Sequence, residues 1–245
     1  MAANSKIEWT HSTWNPVTGC TKISKGCMNC YAEKMAKRLA GRYGYPKENP
    51  FQVTLHPDRL HQPLHWKGRH IIFVCSMGDL FHKDVPDAYI SDVLDIIKQC
   101  REHTFQILTK RAERMLQLSG KIGKWPENVW MGVTVESSDC KSRIELLKQV
   151  KSSVRFLSCE PLLNDLGKVD LRKIDWVIVG GESGCGARPM ASEWAANLRD
   201  QCVVANIPYF FKQWGGFRKK KAGRSLEGKE WNQMPPLAAS VSLSN

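Results

Sequence analysis

Three of the nine cysteines fall within eleven residues, as Cys20, Cys27 and Cys30 in the pattern C-x6-C-x2-C. They follow Trp14-Asn15-Pro16-Val17-Thr18-Gly19 and precede Tyr31 and a helix-like run from Ala32 to Leu39. Cys27 and Cys30 are close enough to share one metal centre. The loop between Cys20 and Cys27, with Gly19 and Gly26 at its ends, can fold back and bring in a third thiolate. Two chemistries are open. Zinc wants four ligands in a tetrahedron, and no fourth stands at zinc-motif spacing, the nearest later candidates being His56 and His61. An iron-sulfur cluster can accept three cysteines and leave one iron free for an exogenous ligand, and soft thiolates favour it. Such an open iron would carry chemistry. A zinc knuckle or buried free thiols are the plainer readings, although clustered cysteines in a reducing compartment point to metal or catalysis rather than disulfides.

Those cysteines need a frame to present them. Residues 70–75 read as a buried strand, and 86–99 carry apolar residues at helical spacing. Strand 104–109 is followed by a helix over 110–120, strand 128–136 by a helix over 138–150, and strand 153–161 by a loop. Strand 175–184 precedes a helix over 191–206, and strand 207–215 closes the series. Continuous apolar strands separated by helices make parallel βαβ units with both sheet faces covered. With a short strand around Thr13 to Pro16, about six or seven parallel strands result, which suggests an α/β fold, a full or partial (β/α) TIM-like barrel with the cysteine loop after its first strand. A doubly wound open sheet is the alternative. Residues 1–215 form the barrel domain, 41–69 read as an insertion with one short helix, and 216–245 as a basic C-terminal arm.

In a parallel barrel the active site gathers at the C-terminal ends of the strands. Here those ends are polar: Ser76-Met77-Gly78-Asp79, Lys110-Arg111, Thr134 and Glu136, Ser158 and Glu160, Gly180-Gly181-Glu182-Ser183-Gly184, then Lys212 and Gln213. Each alone has a bland reading. Asp79 can cap a turn, Glu136 can sit at a helix N-terminus, Lys110-Arg111 can be a solvated helix start, and a glycine-rich turn is a weak motif. Their recurrence at equivalent places in successive βα units favours function.

The formal net charge of +12 and pI near 9.3 describe a surface that attracts a polyanion. Two basic clusters stand out, Arg38, Arg42 and Lys47 after the cysteines, and Arg218-Lys219-Lys220-Lys221 with Arg224 near the C-terminus. A solvated face is the plain reading of each. Together with nine tryptophans available for base stacking they make nucleic acid the leading partner. With 42% hydrophobic and 24% charged residues the chain reads as globular rather than disordered. No run of eighteen apolar residues or signal-peptide core is found, so no membrane partner and a cytoplasmic location are expected.

At this point the residues resemble the radical S-adenosylmethionine (SAM) superfamily, in which a partial barrel carries a three-cysteine loop after its first strand. That superfamily's usual spacing, C-x3-C-x2-C before an aromatic, is lengthened here to C-x6-C-x2-C before Tyr31. More closely, the segments NPVTGC, CMNCYAEKMAKRL, SMGDLFH, LTKRAERM, NVWMGVTVE, RFLSCEPLL, DWVIVGGESGCGARPM and FFKQWG look like a phage-associated family of largely unassigned function placed near radical SAM enzymes. For a phage-encoded chain the location would be the host cytoplasm.

The resemblance implies that Cys20, Cys27 and Cys30 ligate three irons of a [4Fe-4S] cluster, that SAM binds the fourth, and that an electron from a reducing donor cleaves SAM to start hydrogen abstraction. It further implies that Tyr31 packs near cluster and adenine and that Ser76, Gly78 and Asp79 stand where the superfamily has a GGE-like segment for the SAM amino group. Lys110 or Arg111 would meet the SAM carboxylate, and Glu136, beside Thr134, the ribose hydroxyls. Gly180 and Gly181 would line the cofactor side, while Glu160, Glu182 and Arg188 remain for substrate. The expected substrate is a nucleic acid, DNA ahead of RNA, or a nucleotide, in base modification or repair. Two other classes compete: a non-catalytic nucleic-acid-binding protein with structural zinc or a structural cluster, and a phosphate-ester or nucleotide-binding barrel using GGESG and Lys110-Arg111.

Overall fold

Short apolar runs, each ahead of a helical period, become parallel strands in the computed structural model of the chain, which describes residues 5–217 and 223–237. In chain order, β1 (Ser12–Trp14) and the short β2 (Val17–Thr18) precede the cysteine loop and α1 (Tyr31–Arg38). β3 (Thr54–Leu55) pairs antiparallel with β2. Then come β4 (Ile71–Val74), α2 (Asp87–Gln99), β5 (Thr104–Thr109), α3 (Ala112–Ile122), β6 (Val129–Thr134), α4 (Ser142–Leu147), β7 (Val154–Cys159), β8 (Trp176–Gly180), α5 (Ser192–Val204) and β9 (Tyr209–Gln213). A two-stranded antiparallel ribbon, β10 (Ser225–Leu226) with β11 (Lys229–Glu230), follows.

The sheet order is β1-β4-β5-β6-β7-β8-β9, with every neighbouring pair parallel. The seven strands curl into a half-barrel whose edges are β1 and β9, so the expected TIM-like α/β architecture is present in its partial form. Both faces of the strands are covered, which is why β6 and β8 are buried at every position and read as unbroken apolar runs. Alternate residues serve two cores. Met131, Val133, Leu157, Val177, Val179 and Phe211 face the helices through Ile97, Leu118, Ile144 and Leu198. On the concave side Trp130, Phe156, Trp176, Ile178 and Phe210 close around Trp9. Trp9 lies 4.8 Å from Phe73 and 6.2 Å, edge-on, from Trp176 between ring centroids. This aromatic plug fills the bottom of the half-barrel and leaves its C-terminal mouth to polar groups.

Two segments depart from the sequence expectation. The helix expected over 138–150 divides into a 3-10 turn, Ser138–Cys140, and α4. The insertion 41–69 holds two 3-10 turns, Pro57–Arg59 and Gln62–His65, instead of one short helix, because Pro57 and Pro63 each start a new turn without an N–H to continue the one before. Past the barrel, Trp231 and Tyr209 mark where the tail returns: the Phe211 N–H donates to the Trp231 carbonyl at 2.8 Å, and the Gln233 N–H to that of Tyr209 at 3.2 Å. The basic run from Arg218 to Lys221 lies outside the described residues. Among the described residues no helix is long and apolar enough to cross a membrane.

Candidate active site

The cysteine loop begins where β1 ends. Asn15 turns the chain and its Oδ1 accepts from the Met77 N–H at 2.9 Å and the Ser76 hydroxyl at 3.2 Å. Gly19 then forms a parallel bridge with Gly78, its N–H donating to the Met77 carbonyl at 2.9 Å. At φ +83° a side chain on Gly19 would put its Cβ 1.9 Å from the Gln52 carbonyl oxygen, so only glycine fits between these backbones. The SMGD turn after β4 is thus the ledge on which the loop is laid. From there it crosses the barrel mouth, makes a 3-10 turn over Lys25–Cys27, and enters α1 at Tyr31, whose side chain is exposed.

Four strand ends hold the loop. After β4 and β5, Asp79 takes the Thr109 hydroxyl at 2.8 Å and the Arg111 guanidinium at 3.0 Å; the same Arg111 nitrogen lies 3.3 Å from Cys20 Sγ, and its neighbour reaches the Thr21 carbonyl at 3.1 Å. After β6, the fully buried Glu136 accepts from the Ser24 hydroxyl with one oxygen and from Arg143 Nη1 at 2.8 Å with the other. Arg143 also donates to the Thr134 carbonyl at 2.7 Å. Gly26 packs directly on Glu136, since a Cβ there would come 2.8 Å from its Cγ. After β8, Glu182 accepts from Asn29 Nδ2 at 2.9 Å and from Arg188 Nε and Nη2 at 2.9 and 2.6 Å, while Arg188 Nη2 donates to the Lys25 carbonyl at 3.0 Å. Gly181 passes so close to the Trp214 carbonyl oxygen that a Cβ would lie 1.9 Å from it.

The structure therefore gathers nearly all the expected residues at one mouth but gives several of them other neighbours. Asp79, Glu136, Glu182, Arg111 and Arg188 have their charged atoms engaged with the protein and aimed at the cysteine loop. Glu160 touches none of the loop and pairs instead with Lys212, at 2.6 Å, next to Gly180. Lys110 lies where its charge acts on both Cys27 and Glu136, with no ion pair of its own among the described residues. Sequence reasoning passed over Asn29, Ser24 and Arg143. Asn29 had a signal, its place between the last two cysteines. Arg143 had none beyond its helix, because a buried arginine partner seven residues from a glutamate is set by the β6 to α4 turn.

Electrostatics separates the thiols. Burial, followed by the charge of Asp79, pushes Cys20 up to about 11, against the pull of Arg111. Cys27 is also opposed by burial, but a backbone hydrogen bond at Ile23, the Lys110 charge and the Ser24 hydroxyl carry its pKa below the ordinary thiol value. Desolvation works against Glu136 as well, and Lys110, Ser24 and Arg143 keep it lowered all the same. The donor set suits an iron-sulfur cluster: three soft thiol sulfurs, cations from Lys110 and Arg111 to balance their charge, and a glycine at position 26 keeping the loop flat against Glu136. Among the described residues no three His, Cys, Asp or Glu side chains converge on a point where a single ion would sit. A cluster does not require that convergence, since each thiolate binds a different iron.

A family profile described as "Protein of unknown function (DUF5131)" matches residues 4–235. The chain belongs to this family. No curated protein matches it in sequence. Among solved structures, similar ones include a spore photoproduct lyase variant with bound AdoMet and dinucleoside spore photoproduct, at TM-score 0.48 and 9% identity. A second variant of spore photoproduct lyase gives 0.47 at 11%, and a complex with dinucleoside spore photoproduct 0.44 at 10%. Each alignment takes in 74% of this chain and 58% of the other, so the chain spans under two thirds of those proteins.

Proposed function

We propose that this DUF5131 member is a radical SAM enzyme in which Cys20, Cys27 and Cys30 hold a [4Fe-4S] cluster, with a nucleic acid or nucleotide as substrate. One observation carries the reading: a loop bearing three thiols is fixed across the C-terminal mouth of a parallel half-barrel by residues from four separate strand ends. Elaborate anchoring of so short a loop suits a site in which sulfurs must keep fixed positions. Cys20, Cys27 and Cys30 would hold the cluster, which when bound would supply the electron for reductive cleavage of SAM.

The chain's own residues do the remaining work. Arg111 and Asp79 fix the start of the loop beside Cys20, Glu136 and Ser24 fix its middle, and Glu182 with Arg188 and Asn29 fixes its end. Lys110, which makes no ion pair among the described residues, is the cation that would meet the SAM carboxylate. Tyr31 stands at the solvent side, where its ring can cover adenine. The aromatic plug keeps water from the bottom of the mouth. Around the loop stand exposed Ile23, Met28 and Tyr31, together with Lys22 and Lys37, which share Glu33, and Lys25, which pairs with Asp139; the exposed apolar and aromatic side chains suit the faces of bases.

Anaerobic reconstitution with iron and sulfide tests the reading. The reduced protein is expected to give a [4Fe-4S] electron paramagnetic resonance signal that changes on adding SAM and is lost in Cys20→Ala. Uptake of one zinc per chain, with no SAM-dependent signal, refutes it.

A further inference from the structure

The strands β6, β7 and β8 are each followed within two residues by a glutamate, and the three are not used alike. Glu136 and Glu182, from the outer two, hold the cysteine loop with both oxygens occupied. Glu160, from the middle strand, contacts only Lys212, through Oε1 at 2.6 Å; its Oε2 has no partner among the described contacts. The two side chains are 16% and 15% exposed. Glu160 follows Phe156 by four residues and lies on the side of Gly180 where a Cβ would stand, opposite to helix-facing Val179, which puts the pair on the concave face above the aromatic plug; Lys212 is the extra residue of the bulge by which Phe211 pairs with Val179 and Gln213 with Gly180. They come from β7 and β9, which are not sheet neighbours, and meet across β8 at Gly180, where a Cβ would stand 3.0 Å from Glu160 Cγ.

An ion pair drawn out of water gains little stability for its host, because desolvation consumes most of the attraction. This one also joins no elements that the sheet has not already joined. What it does provide, at the centre of the mouth, is a donor beside an acceptor: an ammonium with hydrogens beyond the one given to Glu160, and a carboxylate with a free oxygen. Building on the proposed nucleic-acid reading, we infer that Glu160 and Lys212 read the pairing edge of a single unstacked base that carries a carbonyl beside a ring N–H, as thymine, uracil and guanine do. The ring N–H donates to Glu160 Oε2 and the carbonyl accepts from Lys212 Nζ, while the plug supplies an apolar floor beneath the base. In the same orientation adenine and cytosine present a ring-nitrogen acceptor to Glu160 and an amino donor to Lys212, so both contacts are mismatched.

The test needs neither cluster nor catalysis. Fluorescence anisotropy would compare a single-stranded decamer of alternating thymidine and guanosine with the same decamer built from N3-methylthymidine and N1-methylguanosine, equal in charge and stacking but without the ring N–H. The wild type is expected to bind the unmodified strand about tenfold more tightly, and Lys212→Met and Glu160→Leu, which has no acceptor for the ring N–H, to bind both strands at the level of the methylated one. Equal wild-type affinities overturn the base-edge assignment and leave nucleic-acid binding standing. Discrimination that persists in both folded variants overturns the role of this pair. Binding to neither strand removes the nucleic-acid reading itself. Should a variant fail to fold, as judged by its melting curve, the wild-type comparison and the other variant still decide.

Discussion

At the scale of single residues, the cysteine loop is held by carboxylates whose oxygens are already engaged. Burial alone would raise the pKa of Glu182, but hydrogen bonds from the Arg188 side chain and backbone and from Asn29, with the guanidinium charge, bring it from 4.5 down to about 2. A folded-state value below the unfolded one means that the stabilisation is complete above about pH 4.5 and fades as the pH falls toward 2. The shift corresponds to at most about 3 kcal/mol. Guanidinium unfolding of the apoprotein should therefore find Glu182→Gln clearly less stable than wild type at pH 7, with the gap narrowing steadily below pH 4.5; a pH-independent gap would mean that packing, not charge, holds this end of the loop. Lys110 makes the opposite case, a cation with no ion pair among the described residues. Lys110→Met should leave the cluster signal of the reconstituted protein intact and raise the SAM dissociation constant about tenfold, the effect of one lost charge-assisted contact. Loss of the cluster itself in that variant would instead place Lys110 with the loop anchors.

At the scale of elements, the barrel was readable because parallel strands buried on both faces leave unbroken apolar runs, and the segments ending at Val74, Thr109, Thr134, Cys159 and Gly180 stand out as such. The polar residue after each run marked the mouth for the same reason. What local pattern could not show is the partner of each polar residue. The roles of Glu136 and Glu182 as loop anchors depend on Ser24 and Asn29, more than a hundred positions away in the chain. Nor could it tell which end of the insertion's prolines would break a helix into 3-10 turns. Gly132 gives a further instance: in the sequence it is one small residue in an apolar run, yet in the sheet its missing side chain makes room for Phe156, whose ring would lie 2.4 Å from a Cβ at that position. Gly132→Ala should push this ring out of the aromatic plug at a cost of about 2 to 3 kcal/mol, seen as a lower melting temperature. A melting temperature equal to wild type would show that the plug has slack.

For the whole molecule, a half-barrel poses a problem that a closed barrel does not, since β1 and β9 each present an unpaired row of backbone groups. At β9 the chain answers it with its own tail. Residues 231–233 lie antiparallel along the strand through the Phe211 to Trp231 and Gln233 to Tyr209 hydrogen bonds, and the Trp176 indole N–H reaches past the edge to the Gln233 carbonyl at 2.9 Å. Leu226 from the β10–β11 ribbon is buried in the helix-side core, and Trp231 stacks edge-on with Tyr209 at 5.9 Å. The tail thus seals the sheet edge along Tyr209 to Phe211, just ahead of Lys212, and keeps the mouth's last strand from pairing with another molecule. Truncation after residue 222 should bare that edge, and the shortened chain is expected to associate with rising concentration in light scattering while the full chain does not. Because β9 also carries Lys212, the same truncation should loosen the Glu160 pair and weaken oligonucleotide binding, whereas the cysteine loop, anchored on β4 to β8, should still take up its cluster. A truncated chain that stays monodisperse would assign the tail's contacts to packing alone.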